Sequence, residues 1–180
     1  MPSVLVPLAH GSEELEAVTV LNLLRRAGIE AVSASLDGQP VRGSRGTVIV
    51  PDTALEEALK RDFDMVVLPG GQPGTRNLQA DPRIIKLLQD MATRNRYVCA
   101  ICAAPSVLAA AGLLHGKRAT SFPTCLDDFP QVSLQTAAVV EDGKIITSRG
   151  PGTAMDFALT LVERLCGKPK RDEVEAGLVR

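Results

Sequence analysis

Cys102 is the residue of this chain best placed to do chemistry. It ends an apolar run, Tyr97 to Ile101, and a helix signal opens at Pro105 within three residues. Ala100 and Ala104 flank it two residues to either side, the small-x-nucleophile-x-small spacing of a strand-turn-helix elbow, with alanine where hydrolases usually carry glycine. Small residues are needed there because the turn crowds the backbone against neighbouring strands. The following helix would aim its N-terminal amides at the sulfur and favour thiolate over thiol. Spacing alone leaves a plain buried cysteine equally open.

Cys99 and Cys102 also form a C-x-x-C, but a redox pair does not follow. With Cys99 in the strand, three residues separate the Cα atoms by roughly 10 Å, beyond the roughly 4.4–6.8 Å of a disulfide. Cys125 and Cys166 stand alone, so no second ligand pair completes a zinc site. Cys99 reads as core, and no metal is expected.

Sites in open parallel sheets gather at the carboxyl ends of the strands. Three further loops end there: residues 9–14, 69–74 and 148–153. The first supplies Glu14, a carboxyl that a nearby thiolate would keep protonated, making it a candidate general acid/base. The second supplies Gly70 and Gly71, whose amides can face an oxyanion. The two histidines, His10 and His115, do not adjoin Cys102 in sequence, so no Cys-His dyad is evident.

The elements that must position these groups alternate. Strands are predicted at Ser3–Leu8, Ala31–Leu36, Thr47–Val50, Asp64–Leu68 and Tyr97–Ile101, with a hairpin signal at Asp142-Gly143. A helix opens at Ser12, read as its cap, with Leu15, Val18, Leu21, Leu23 and Leu24 as its apolar face and Gly28 at its end. Others cover Leu55–Lys60, Arg83–Arg94 behind an Asp81-Pro82 start, Pro105–Ala111, and Ala154–Leu165 ended by Gly167. A short tail helix carries an Arg171/Glu175 pair. Strand-helix alternation implies a mostly parallel sheet covered on both faces. The 180 residues read as one domain spanning 1–180.

Composition excludes several classes. Lys plus Arg number 20 and Asp plus Glu 21, so a net charge of -1 gives no general pull toward nucleic acid. Four Phe, one Tyr and no Trp argue against a base-stacking platform. The N-terminus lacks the basic and apolar regions of a signal peptide, and no apolar run reaches the roughly 18 residues of a membrane span. A cytoplasmic protein is expected, with reduced cysteines.

Together these residues resemble the ThiJ/PfpI superfamily, and within it the bacterial YajL branch and the human parkinsonism-associated deglycase. The likeness covers essentially the whole chain. It is carried by Gly11-Ser-Glu-Glu-Leu-Glu16, Arg25-Arg-Ala-Gly28, Leu68-Pro-Gly-Gly71, Ala100-Ile-Cys-Ala-Ala-Pro105 and Ser148-Arg-Gly-Pro-Gly-Thr153. The resemblance implies a flavodoxin-like three-layer sandwich with a cysteine nucleophile elbow, and a homodimer. It implies Cys102 as nucleophile and redox site, Glu14 as its protonated partner, and Gly70, Gly71 and Ala103 framing the pocket. Arg26 and Arg45 match positions at the dimer interface and pocket rim, and Gly150 and Pro151 a loop packing near the partner's site. The implied activity is that of a protein or nucleotide deglycase, or a glutathione-independent glyoxalase. Its substrates would be methylglyoxal, glyoxal and their early adducts, with a role in oxidative and carbonyl stress and no cofactor. No Gly-rich phosphate fingerprint follows the first strand, which argues against nucleotide binding. An oxidation sensor or redox-regulated chaperone is the rival reading, using the same residues. A cysteine peptidase of the superfamily would carry His after the nucleophile, where this chain has Ala103. The human protein has a pocket histidine where this chain has Phe122.

Overall fold

The computed structural model describes residues 1–180. Its centre is a seven-stranded sheet. In chain order its strands are β1 (Ser3–Leu8), β2 (Glu30–Ser35), β5 (Thr53–Ala54), β6 (Met65–Leu68), β7 (Tyr97–Ile101), β10 (Val139–Asp142) and β11 (Ile145–Ser148). Across the sheet they run β10-β11-β7-β6-β1-β2-β5. Every pairing is parallel except β10 with β11, which closes the Asp142-Gly143 hairpin. Two small pairs lie outside it: β3 (Val41–Arg42) with β4 (Val48–Ile49), and β8 (Arg118–Ala119) with β9 (Ser133–Leu134).

The inner strands read as continuous apolar runs because they are covered on both faces. One core lies between the sheet and the helices α1 (Glu14–Arg26), α6 (Ala154–Cys166) and α7 (Lys168–Ala176), with Leu8, Leu24, Ile101 and Phe157 at its heart. The opposite core packs α2 (Leu55–Ala58), α3 (Gly74–Ala80), α4 (Pro82–Thr93) and α5 (Pro105–Ala110) through Leu5, Leu68, Leu78 and Leu88. This is the expected three-layer, flavodoxin-like sandwich.

Several local readings hold in detail. Asp81 caps α4 by accepting the Arg83 N–H at 2.9 Å, with Pro82 in the first turn. The tail helix exists, and Arg171 meets Glu175 at 2.6 Å. Others are corrected. Ser12 does not cap α1: its hydroxyl accepts the Ala9 N–H at 3.1 Å and closes the turn after β1, while Glu13 caps the helix through the Leu15 N–H. Leu15 and Val18 are 51% and 47% exposed, so the buried face of α1 runs instead through Glu16, Ala17, Val20, Leu23 and Leu24. That rotation decides which glutamate reaches the cysteine. Helix α3 and edge strand β5 carry no strong periodic signal and are additional to the expected elements.

Candidate active site

The sheet order reverses at β1: β2 lies on one side of it and β6 on the other. A crevice is expected outside the carboxyl ends of the strands at such a switch point. The turns after β1, β6, β7 and β11 converge there.

Cys102 follows β7 directly and is buried, at 8% exposure. Its φ is +65°, a left-handed conformation costly for a residue with a Cβ. Two backbone bonds hold it there: its N–H donates to Ser148 O at 2.9 Å, and its carbonyl accepts the Phe122 N–H at 2.8 Å. The elbow is thus clamped from β11 and from the loop after β8. Gly70 makes room for it, since a Cβ there would stand 2.6 Å from the Cys102 Cβ and 2.8 Å from Ile101 O. At Gly71, φ is +84° and a Cβ would meet the Glu13 amide at 2.5 Å. The N–H groups of Gly71 and Ala103 face the sulfur; that of Gly70, expected beside them at the oxyanion, donates instead to the Glu16 carboxyl.

The carboxyl beside the sulfur is that of Glu16, and this corrects the expectation for Glu14. The two residues are two apart on a helix, about 200° around its axis. Glu16 points inward and is 0% exposed; its Oε2 accepts the Gly70 N–H at 2.7 Å, and its side chain engages the Cys102 thiol. Its Oε1 is buried and has no N–H or O–H donor. Glu14 faces the 43–47 loop: it accepts the Arg45 N–H at 3.0 Å, the Thr47 N–H at 3.1 Å and the Ser44 hydroxyl at 3.3 Å. Glu14 straps the loop that carries Arg45 to the start of α1. Gly43 is the glycine of that strap, because a Cβ would lie 2.5 Å from the Glu14 carboxylate.

The electrostatics separate the two glutamates. Burial pushes the Glu16 carboxyl up to about 7, against the Gly70 N–H and the thiol that favour its charge. Burial also pushes the Cys102 thiol up to about 12, with the Glu16 charge next to it adding to the rise and the Gly71 and Ala103 amides opposing it. The pair therefore releases one proton near neutrality and holds the second tightly, because a thiolate and a carboxylate cannot both stay charged there. For Glu14, burial pulls upward, but the backbone amides of Glu14, Arg45 and Thr47 outweigh it and hold the carboxyl below its usual range.

Of the other expected residues, Phe122 and Gly150 lie together at the rim: a Cβ on Gly150 would contact the Phe122 ring at 3.5 Å. Phe122 is 48% exposed, and Pro151 opens the turn that leads into α6. Arg45 is exposed on the strapped loop. Arg26 is not brought to Cys102 within this chain; it lies in the last turn of α1, bonded to Asn22 Oδ1 at 2.8 Å. Cys99 is wholly buried in β7, and all four cysteines are free. His10 accepts the Arg42 N–H and lines a separate cavity. No cluster of three or more His, Cys, Asp or Glu side chains could hold a metal, and no helix is long and apolar enough to cross a membrane.

Comparison with known proteins gives the chain's family and fold. The model of the DJ-1/PfpI family matches residues 2–164. The chain is 42% identical over 180 residues to the Parkinson disease protein 7 homolog of Danio rerio, covering 97% of this chain and 95% of that protein. It is 36% identical over 166 residues to the glutathione-independent glyoxalase DJR-1.2 of Caenorhabditis elegans, covering 91% and 88%. The crystal structure of Drosophila melanogaster DJ-1beta superposes with a TM-score of 0.96 at 43% identity, covering 99% and 97%.

Proposed function

Because the chain is a member of the DJ-1/PfpI family, we propose that it is a cysteine-dependent enzyme acting on reactive dicarbonyls such as methylglyoxal and glyoxal. Early adducts of these aldehydes with amino acids and nucleotides are the wider substrate class. The observation that carries the reading is the buried Glu16 carboxyl against the Cys102 sulfur, with the Gly71 and Ala103 amides on the same atom.

With one proton on the pair, Glu16 holds it. A free thiol is a weaker acid than a carboxyl by about 4 units, roughly 6 kcal/mol. Burial raises both groups, Glu16 to about 7 and Cys102 to about 12, and Glu16 keeps one amide donor. Cys102 has two amides and partial exposure, and hydrogen bonds to an ion are worth about 1.5–3 kcal/mol each. We take Glu16–COOH and Cys102–S⁻ as the reacting form, in which the two amides and the Glu16 O–H all donate to the sulfur. Cys102 attacks the aldehyde carbon; the C=O pair moves to oxygen, and Glu16 protonates it, giving a hemithioacetal. Glu16, now a carboxylate, can take the carbon-bound proton and return it to the adjacent carbonyl carbon. Water then releases the thioester as a hydroxy acid. One carbon is oxidised and its neighbour reduced, so no external oxidant enters. The backbone amides stabilise the oxyanion formed on the way.

A homodimer and a cytoplasmic setting complete the proposal. Val18, Ile49 and Val50 share a surface hollow with Arg26, and Val50 is 75% exposed. A second copy of the chain would cover this apolar face. Four unpaired cysteines suit a reducing compartment. The test is lactate formation from free methylglyoxal. Wild type should turn over and Cys102→Ser should not; no lactate from wild type, with Cys102 oxidising readily instead, would move the chain to the redox-sensor reading.

A further inference from the structure

The mouth of the Cys102 site carries one large apolar side chain in the open, Phe122, which is 48% exposed. A single exposed apolar residue is ordinary on a protein surface. This one differs in how it is held. Its N–H donates to the Cys102 carbonyl at 2.8 Å, and its own carbonyl accepts the Ser121 hydroxyl at 2.8 Å and the Cys125 N–H at 3.1 Å. Both of its backbone polar groups are spent on the elbow and the loop beside it. Pro123 follows and fixes the next φ. The ring stands on a stem that cannot swing without breaking its bond to the reacting residue.

The backing of the ring is equally fixed. A Cβ on Gly150 would meet only Phe122 Cδ2, at 3.5 Å, with no other atom within 4 Å. Gly150 is extended, with φ 174°, so neither its conformation nor a clash demands glycine. Its bare backbone leaves the space beside the ring open. The Thr153 hydroxyl bonds both the N–H and the carbonyl of Gly150, at 3.2 and 3.0 Å, and lies 2.7 Å from the Ser148 hydroxyl. Ser148 is the residue whose carbonyl accepts the Cys102 N–H at 2.9 Å. Ring and backing thus spring from the two strands of chain that clamp the elbow.

We propose that Phe122 selects the substituent of the substrate: the Cys102 site takes α-oxoaldehydes that carry a flat apolar group, arylglyoxals first, in preference to glyoxal. The carbon bonded to sulfur is the fixed point. A group attached beyond the second carbonyl extends from the buried thiol toward the rim, where the ring waits. Aromatic pairs in offset or edge contact add to the gain from burying their area, and a ring already held in place loses little freedom on binding. Glyoxal has only hydrogen at that end and leaves the ring in water. The choice of substrate rests on the dicarbonyl reading; contact between Phe122 and an apolar group attached to Cys102 does not.

The experiment has two arms, both on the full chain. In the first, Cys102 is alkylated by iodoacetamide or by N-benzyl-iodoacetamide. The two share one electrophilic carbon, where the thiolate forms an S–C bond and iodide leaves. Rates at Cys102 are mapped by mass spectrometry and divided by the rates of glutathione with the same reagents. The benzyl reagent should be favoured about 3- to 10-fold at Cys102, the range for one aromatic pair. Phe122→Ala should bring that ratio down to the glutathione value, and Phe122→Tyr should keep it. In the second arm, phenylglyoxal plus water gives mandelate and glyoxal plus water gives glycolate. The ratio of their kcat/KM values should fall by the same factor in Phe122→Ala. A benzyl preference absent from wild type, or kept in Phe122→Ala, would overturn the assignment. So would equal slowing of both reagents in that variant, which would make the ring a prop for the elbow. If the first arm behaves as expected and neither acid forms, the recognition surface stands and the dicarbonyl reading alone falls.

Discussion

Replacing Glu16 by leucine separates the two ways in which one proton can be shared with Cys102. If Glu16 holds that proton and donates to a thiolate, leucine removes the donor while the sulfur stays buried. The thiol should then titrate above its ordinary value of about 8.5. If Glu16 is instead the anion, leucine removes a repelling charge, and Cys102 ionises more easily. The pair releases its first proton near pH 7, where the carboxyl is pushed up to about 7. On the first account about half of Cys102 is thiolate at that pH, and about 1% in the variant if its thiol rises to about 9. That is roughly 50-fold less nucleophile. A thiolate about 2 units more basic is intrinsically about 8-fold more reactive, because nucleophilicity follows pKa with a slope near 0.4–0.5. The net expectation is alkylation about 6-fold slower at pH 7. The assay is iodoacetamide labelling of Cys102, mapped by mass spectrometry between pH 5 and 10, with a wild-type midpoint near 7. Equal or faster labelling in Glu16→Leu at pH 7 would refute the placement of the proton on Glu16.

Stability should follow the same carboxyl. Its folded-state value is raised from 4.5 to about 7, so the stabilisation is fully present below about pH 4.5 and is lost as pH rises through 7. The linkage amounts to about 3 kcal/mol; denaturant melts of Glu16→Gln should lack this descent, and parallel curves for the two proteins would contradict it. Glu14→Gln should keep lactate formation within a few-fold of wild type while loosening the 43–47 loop; loss of most turnover would restore Glu14 to the mechanism. Gly70→Ala forces a Cβ to 2.6 Å from that of Cys102. It should cost more than about 2 kcal/mol and abolish Cys102 labelling selectivity, and a wild-type melting curve would count against this packing. Sedimentation should find a dimer, and Val50→Asp should shift it toward monomer; a wild-type monomer at micromolar concentration would remove the apolar face as an interface.

Much of this was legible in the residues because each signal was local. An apolar run ending in Ala-Ile-Cys-Ala-Ala-Pro describes a strand, a turn and a helix start, and the structure adds the +65° φ of Cys102. Pro-Gly-Gly after an apolar run similarly gives a tight turn whose backbone comes close to a neighbour. The glutamate was misread because three of them stand in four residues and the apolar face of α1 was drawn through Leu15 and Val18, which are exposed. Glu16 shares the true buried stripe with Val20, Leu23 and Leu24, and a carboxyl on a buried stripe is the signal that could have found it. Helix α3 contains one buried large apolar side chain, Leu78, and so has no period to read. The pairing of Phe122 with Gly150 joins distant segments and exists only once the sheet is assembled.

The most direct measurement of the central claim uses [¹³C]methylglyoxal and ¹³C NMR on three proteins. Wild type should convert the label to lactate. Glu16→Gln should show a hemithioacetal carbon and stop there, because the thiolate still attacks but no group takes the carbon-bound proton. Cys102→Ser should show neither. Lactate from Cys102→Ser, or full turnover in Glu16→Gln, would contradict catalysis by this pair.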